Sequence, residues 1–282
     1  MESSHGGFLE RPLGLLRACH PVPTAIVSAL ATVLAVGLGA RAAGYLFVAL
    51  AVLSGQLSVG WCNDRVDLVR DRAAERRDKP LVTGDVSPGT VAVAAGCALA
   101  ACVPLSLASG LPAGAVHLTG VVAAWCYNLG LKRTVVSWLP YALAFGLLPA
   151  FVTLGLPGRP WPPWWALVAG ALLGVGAHVT NVLPDIDADL AAGIRGLPQR
   201  LGRRRARALA ACALLGASVT LVLVPPGAVG AVGWSAFAVT GVLSLAVVTL
   251  PGAGRYRTPF LATVGVAAVG AVLLLLRGSS QA

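Results

Sequence analysis

The chain is expected to fold as an all-α, polytopic membrane protein with nine transmembrane helices. Two observations carry this. Mean hydropathy is +0.80, and 57% of the 282 residues are hydrophobic while only 11% are charged, against about a quarter charged in a soluble chain. Apolar runs of about 18 or more residues, the length that crosses a hydrocarbon core about 30 Å thick, recur at nine places.

The first run, 21–39, follows Arg11 and Arg17 and so imitates a secretory leader. It outruns the apolar core of a leader, which is about 7–15 residues, and further spans come after it, so it is the first helix. Runs at 43–62, 88–107, 112–131 and 135–155 supply the second to fifth. The Pro-rich stretch from Pro157 to Pro163 contains Trp161 and is followed by Trp164 and Trp165; it reads as an interfacial loop with an aromatic anchor. Helices at 164–184, 207–225, 229–250 and 258–276 complete the set.

Basic residues give the orientation, because cytoplasmic loops carry the excess of Lys and Arg. Of 21 such residues, 18 fall on alternate segments: Arg11 and Arg17; six from Arg65 to Lys79; Lys132 and Arg133; six from Arg195 to Arg207; Arg255 and Arg257. Only Arg41, Arg159 and Arg277 fall on the other side. The N-terminus is expected in the cytoplasm and, after nine spans, the C-terminus outside. A net charge of +10 would suggest nucleic acid in a soluble protein, but here the cations alternate with spans instead of forming one patch. Nucleic acid is therefore not an expected partner.

The six cysteines lie in or beside apolar runs with no Cys-x-x-Cys pair, so they read as packing residues and not as a metal or redox motif. His178 reads as a bundle-facing structural residue, and His5, His20 and His117 form no cluster in sequence.

All eight aspartates fall in two stretches, Asp64 to Asp85 and Asp185 to Asp189. Each opens with one spacing: Asn63-x-x-x-Asp67-x-x-x-Asp71 and Asn181-x-x-x-Asp185-x-x-x-Asp189, offset by 118 residues. The offset continues through Arg77 and Arg195, Pro80 and Pro198, Gly84 and Gly202. Residues four apart share a helix face, so Asp67 projects with Asp71, and Asp185 with Asp189. Pro184 is expected to kink or restart the second helix and to rotate Asn181 away from its aspartates.

An ionised Asp at a helix centre costs roughly 2.5–3.5 kcal/mol on the insertion scale, so clustered carboxylates at helix ends need cations. Oxygen-only donors suit Mg²⁺, which takes one or two carboxylates and completes its shell with water and phosphate oxygens. A diphosphate held between two such sites satisfies that preference. Arg and Lys are the usual phosphate partners; Arg77 and Lys79 follow the first cassette and Arg195 the second. Lys79 and Lys132 are the only lysines beside nineteen arginines. Topology alone accounts for single cations, but it needs no matched Asp pairs.

These residues resemble the UbiA superfamily of intramembrane prenyltransferases. The resemblance rests on Asn63-Asp64-x-x-Asp67-x-x-x-Asp71; on Arg77, Lys79, Pro80, Leu81 and Gly84; on Tyr127, Leu131, Lys132 and Arg133; and on Asp185-x-x-x-Asp189 with Gly193 to Gly202. It implies a single domain over 1–282, with pseudo-repeated cassettes at 63–84 and 181–202. It further implies nine helices around a central cavity capped on the cytoplasmic side and opening laterally to membrane lipid, two Mg²⁺ ions, and an isoprenyl diphosphate donor whose tail lies in the apolar cavity.

On that resemblance Asp67, Asp71, Asp185 and Asp189 bind metal with Asn63 and Asp64 in support. Arg77, Lys79, Lys132 and Arg195 grip the diphosphate, Arg133 and Asn181 join the substrate set, and Tyr127 orients a phosphate or the acceptor. The implied reaction is Mg²⁺-dependent transfer of an isoprenyl group to a small aromatic or other lipid-precursor nucleophile, in a bacterial plasma membrane with the site on its cytoplasmic side. Two departures stand out: Gly196 replaces a frequent Thr or Ser, and Asn181 a frequent Asp. A membrane terpene cyclase of the same superfamily would carry the same motifs. A cation transporter would place its acids deep in the spans, and a CDP-alcohol phosphotransferase would carry an Asp-Gly-x-x-Ala-Arg segment that this chain lacks.

Overall fold

The computed structural model describes residues 7–249 and 257–278, and among them it is helical throughout, without strands. Arg255 and His5 lie outside the described residues. In chain order the α-helices are α1 (Gly7–Ala18), α2 (Pro21–Gly37), α3 (Ala42–Ala73), α4 (Pro80–Thr83), α5 (Pro88–Leu107), α6 (Leu111–Leu129), α7 (Leu139–Leu154), α8 (Trp164–Val182), α9 (Ile186–Ala191), α10 (Leu197–Leu223), α11 (Ala231–Thr249) and α12 (Arg257–Gly278).

A helix occupies each expected window, but length and composition alone qualify six for crossing a membrane, or seven if the pair bent by 68° across His20 is one span. The sixteen-residue α7 is short for the task, and α6 carries His117, Trp125, Tyr127 and Asn128 among its apolar residues. Large apolar side chains such as Val33, Leu46, Val93, Val122, Val242 and Leu261 point outward. In water such a surface would drive association; on apolar helices of this length it is the lipid-facing side of an integral membrane protein.

Two helices exceed their apolar windows, for one reason. Helix α3 runs past residue 62 to Ala73, and α10 begins at Leu197, ten residues before its expected start. Both extensions are charged, so hydropathy does not register them; α3 stays helical to its end, whereas the backbone of α10 leaves helical geometry within its extension. Gly202, at φ 73°, kinks α10 inside that polar part.

Neighbouring helices pack in a closed order: α2 on α3, α3 on α5, then α6, α7, α8, α10, α11 and α12, with α12 returning to α2 and α8. Small residues set the close approaches, as packing without a hydrophobic drive requires. Gly170 and Gly174 of α8 lie directly against the backbones of Phe145 and Tyr141 on α7, which presses those two aromatic residues to the interior. The ring encloses a cavity of about 530 Å³, with walls from α2, α3, α6, α7, α8 and α12.

Candidate active site

The first cassette rides one unbroken helix. Asn63, Asp67, Arg70 and Asp71 come from the last third of α3, and Asp64, Asp67 and Asp71 are buried. Three buried carboxylates would be prohibitive unpaired, and each has a cation. Arg70 carries two of them: Nη2 donates to Asp67 Oδ2 at 3.0 Å and to Asp71 Oδ1 at 3.1 Å. Lys132 Nζ donates to Asp67 Oδ1. Asp64 Oδ1 accepts from Lys79 Nζ at 2.6 Å and lies 2.9 Å from His20 Nε2.

The second cassette is broken. Pro184 sits in a 3₁₀ turn, Leu183–Asp185, between α8 and the short α9. The proline therefore restarts the helix as expected, and Asn181 turns to Tyr141, its Nδ2 being 3.4 Å from the phenol oxygen. Asp189 comes inward: Oδ1 accepts from Arg70 Nη1 at 3.1 Å and Oδ2 from Gln199 Nε2 at 2.8 Å. Asp185 accepts from Arg76 Nη1 at 3.2 Å. Asp187 points outward to Arg203 at 2.7 Å.

Lys132 lies in a 3₁₀ turn, Leu131–Arg133, between α6 and α7, and is buried. Burial pushes its ammonium below the usual lysine value, and Asp67 opposes that shift without cancelling it. At the rim, the hydrogen bond from Arg76 holds the Asp78 carboxyl below its usual range.

Several expected residues lie together in the cavity wall: Asn63, Asp67, Lys79, Tyr127, Lys132, Asn181, Asp185 and Asp189. Others do not. Arg77, Arg133 and Arg195 are exposed and absent from the wall. The chain runs from α3 to α4 through a turn in which Arg76 faces inward and its neighbour Arg77 outward. Asp64 and Asp71 are buried behind the wall instead of lining it. Sequence reasoning passed over Arg70, Arg76, His20 and Gln199. Arg70 was within reach, since position i+3 from Asp67 puts it on the carboxylate face. His20 was not: it is set by a left-handed turn, φ 56°, between α1 and α2.

Among the described residues no three His, Cys, Asp or Glu side chains converge as a ready cation cage. Mg²⁺ does not require one, because it binds through one or two carboxylates and fills its shell from water and phosphate. The donors here are all oxygen, and Asp67 and Asp189 approach a single positive centre at 3.0 and 3.1 Å, the Arg70 guanidinium. By donor chemistry and charge the residues fit a hard divalent cation.

A floor of carboxylates and cations under an apolar, membrane-embedded cavity of about 530 Å³ defines a class: all-helical intramembrane enzymes that handle an anionic head and an oily tail together. The chain belongs to the UbiA prenyltransferase family, whose model matches residues 22–259, and is an enzyme of the prenyltransferase class. Its fold is similar to an apo UbiA homologue from Aeropyrum pernix K1, with TM-score 0.73, 20% identity, and coverage of 90% of this chain and 97% of that one. A UbiA homologue from Archaeoglobus fulgidus bound to GPP and Mg²⁺ gives TM-score 0.73 at 18% identity, covering 95% and 98%. A digeranylgeranylglyceryl phosphate synthase gives 0.66 at 14% identity, covering 95% and 97%. No curated protein matches the chain by sequence.

Proposed function

We propose that the protein transfers an isoprenyl group from an isoprenyl diphosphate to a small acceptor within the membrane, with Asp67, Asp71, Asp185 and Asp189 holding two Mg²⁺ ions. The observation that carries this reading is Arg70, a cation drawn in between carboxylates of both cassettes at the floor of an apolar cavity. Bound Mg²⁺ would supply Lewis-acid neutralisation of the charge that develops on the diphosphate. The homologue from A. fulgidus, bound to GPP and Mg²⁺, supports both the donor class and the metal.

Lys79, Lys132 and Arg76 line the same floor and are placed to donate to phosphate oxygens as the allylic C–O bond breaks, its electron pair leaving with the diphosphate. Tyr127, Tyr141 and Phe145 line the wall beside them and present π-faces to a cation, while the apolar remainder keeps water from quenching it. The acceptor's electron pair forms the new bond to the allylic carbon, and its proton passes to the released diphosphate. The excess of Lys and Arg on the cassette side supports a cytoplasmic position for this floor, and the reading includes nine spans with the C-terminus outside, in a bacterial plasma membrane.

Detergent-purified protein incubated with Mg²⁺ and isoprenyl diphosphates of several lengths is expected to release diphosphate. No release with any donor, or full activity in the double variant Asp67→Ala, Asp185→Ala, overturns the reading.

A further inference from the structure

The acceptor's chemistry is written in the part of the cavity that lies away from the cassettes. Gln56 stands two helical turns before Asn63 on α3, about 10 Å nearer the interior at 1.5 Å per residue, and on the same face. It lines the main cavity and also a second, apolar cavity of about 70 Å³, and it shares both walls with Val59, Ala144 and Phe145. Its amide offers two donors and an acceptor, yet has no hydrogen-bond partner among the described residues. Such a group on a membrane helix calls for a polar partner inside the cavity.

The charges are all elsewhere. Arg70, Arg76, Lys79 and Lys132 are the Lys and Arg residues of the main wall, and each already faces a carboxylate at the floor. The smaller cavity has none. Its other polar residue is His117, whose Nδ1 lies 2.8 Å from Ser106 Oγ. Ser106 donates its single proton to the Cys102 carbonyl at 2.6 Å, so His117 Nδ1 is the donor in that pair. In the neutral ring this leaves Nε2 as a lone pair. An amide and an imidazole lone pair suit a hydroxyl or a carbonyl; neither compensates a carboxylate. Phe145 lies parallel to Tyr141, with centroids 6.5 Å apart and planes at 7°, and gives this side a flat wall. Leu30, Phe260 and Val264, from α2 and α12, line the cavity too and leave an apolar path for the donor's tail.

We propose that Gln56 holds the far end of the prenyl acceptor and selects an uncharged, planar molecule bearing a hydroxyl or carbonyl oxygen there. This rests on the transferase reading. Its test uses protein in nanodiscs, loaded with Mg²⁺ and geranyl thiolodiphosphate as an unreactive donor, and titrated with two twins: 3,5-dihydroxybenzamide and 3,5-dihydroxybenzoate. The wild type is expected to bind the amide at least tenfold more tightly. Gln56→Arg reverses the preference, and Gln56→Leu loses at least tenfold of the amide affinity without gaining the carboxylate, while both variants keep the donor analogue's affinity. Failure of the wild type to bind the donor analogue strikes the transferase reading itself. With the donor analogue bound, three results overturn the role of Gln56: binding of neither twin, equal binding of both, or an unchanged ratio in Gln56→Arg.

Discussion

Arg70 and Asp189 join the two halves of the site: the guanidinium Nη1 lies 3.1 Å from the carboxylate Oδ1 across 119 residues of sequence. The same guanidinium binds Asp67 and Asp71, so one side chain carries the positive charge between both cassettes. It is the point at which protein cation and metal cation would compete for the same oxygens.

Replacing Arg70 by Met therefore leaves carboxylates of both cassettes short of a partner. Breaking a buried pair in this way costs about 3 kcal/mol or more, and Arg70 is buried enough, its side chain 27% exposed, for the figure to apply. A ligand that binds only the folded state restores stability in proportion to its affinity. In thermal unfolding with chelator, Arg70→Met is expected to melt below the wild type, and added Mg²⁺ to raise its midpoint by more than it raises the wild type's. An equal or smaller Mg²⁺ response would show that Arg70 does not stand where the metal goes.

The carboxylates of the site were legible in sequence because spacing on a helix is a geometric statement: Asn63, Asp67 and Asp71 must share a face if the helix continues, and α3 continues. Pro184 was legible for the converse reason. What spacing cannot show is which way a turn faces. Arg76 and Arg77 are adjacent and chemically identical, and the path of the chain from Ala73 to Pro80 alone sends Arg76 to Asp185 and Arg77 to solvent. Charge hides helix ends from hydropathy, as at α10, whose Arg-rich opening carries the buried Gln199 that supports Asp189. Long-range partners such as His20 with Asp64 leave no local pattern at all.

That distinction between neighbours has a kinetic consequence. Arg76→Ala removes a cavity-lining cation and the partner of Asp185, and is expected to raise the donor KM about tenfold, equivalent to about 1.4 kcal/mol. Arg77→Ala and Arg195→Ala touch exposed side chains outside the wall and are expected to stay within about twofold, as surface substitutions do. Steady-state diphosphate release from the three variants decides it. An Arg77→Ala effect as large as that of Arg76→Ala would return Arg77 to the site.

Gly196 is fixed by packing and not by the phosphate site. A Cβ there would lie 2.6 Å from the Lys132 backbone oxygen and 2.7 Å from Gln199 Oε1, so a hydroxyl-bearing side chain has no room unless the Lys132 turn moves. Overpacking of this kind costs about 1–3 kcal/mol. Gly196→Thr is accordingly expected to lower the melting temperature and to weaken donor binding at least tenfold through the displaced Lys132, and Gly196→Ala to do the same to a lesser degree. Unchanged donor affinity in Gly196→Thr would show that the turn yields without moving the ammonium.

On the proposed reaction, Lys132 is expected to set the alkaline limit. Burial favours the neutral amine, and the Asp67 carboxylate only partly restores the charged form, so the proton leaves at lower pH than from an ordinary lysine. The sign follows: an ammonium whose value is depressed is fully charged below that value and loses its charge as pH rises through it. A diphosphate needs the charged form, and kcat/KM reports the protonation state of the free enzyme. The profile of kcat/KM for the donor is expected to fall on the alkaline side at a pH below the usual lysine value. In Lys132→Arg, whose guanidinium stays protonated throughout, that limb is expected to disappear, even though the planar group fits the Asp67 pocket less well and lowers the plateau. An alkaline limb that persists unchanged in Lys132→Arg would assign it to another group and remove Lys132 from the binding step.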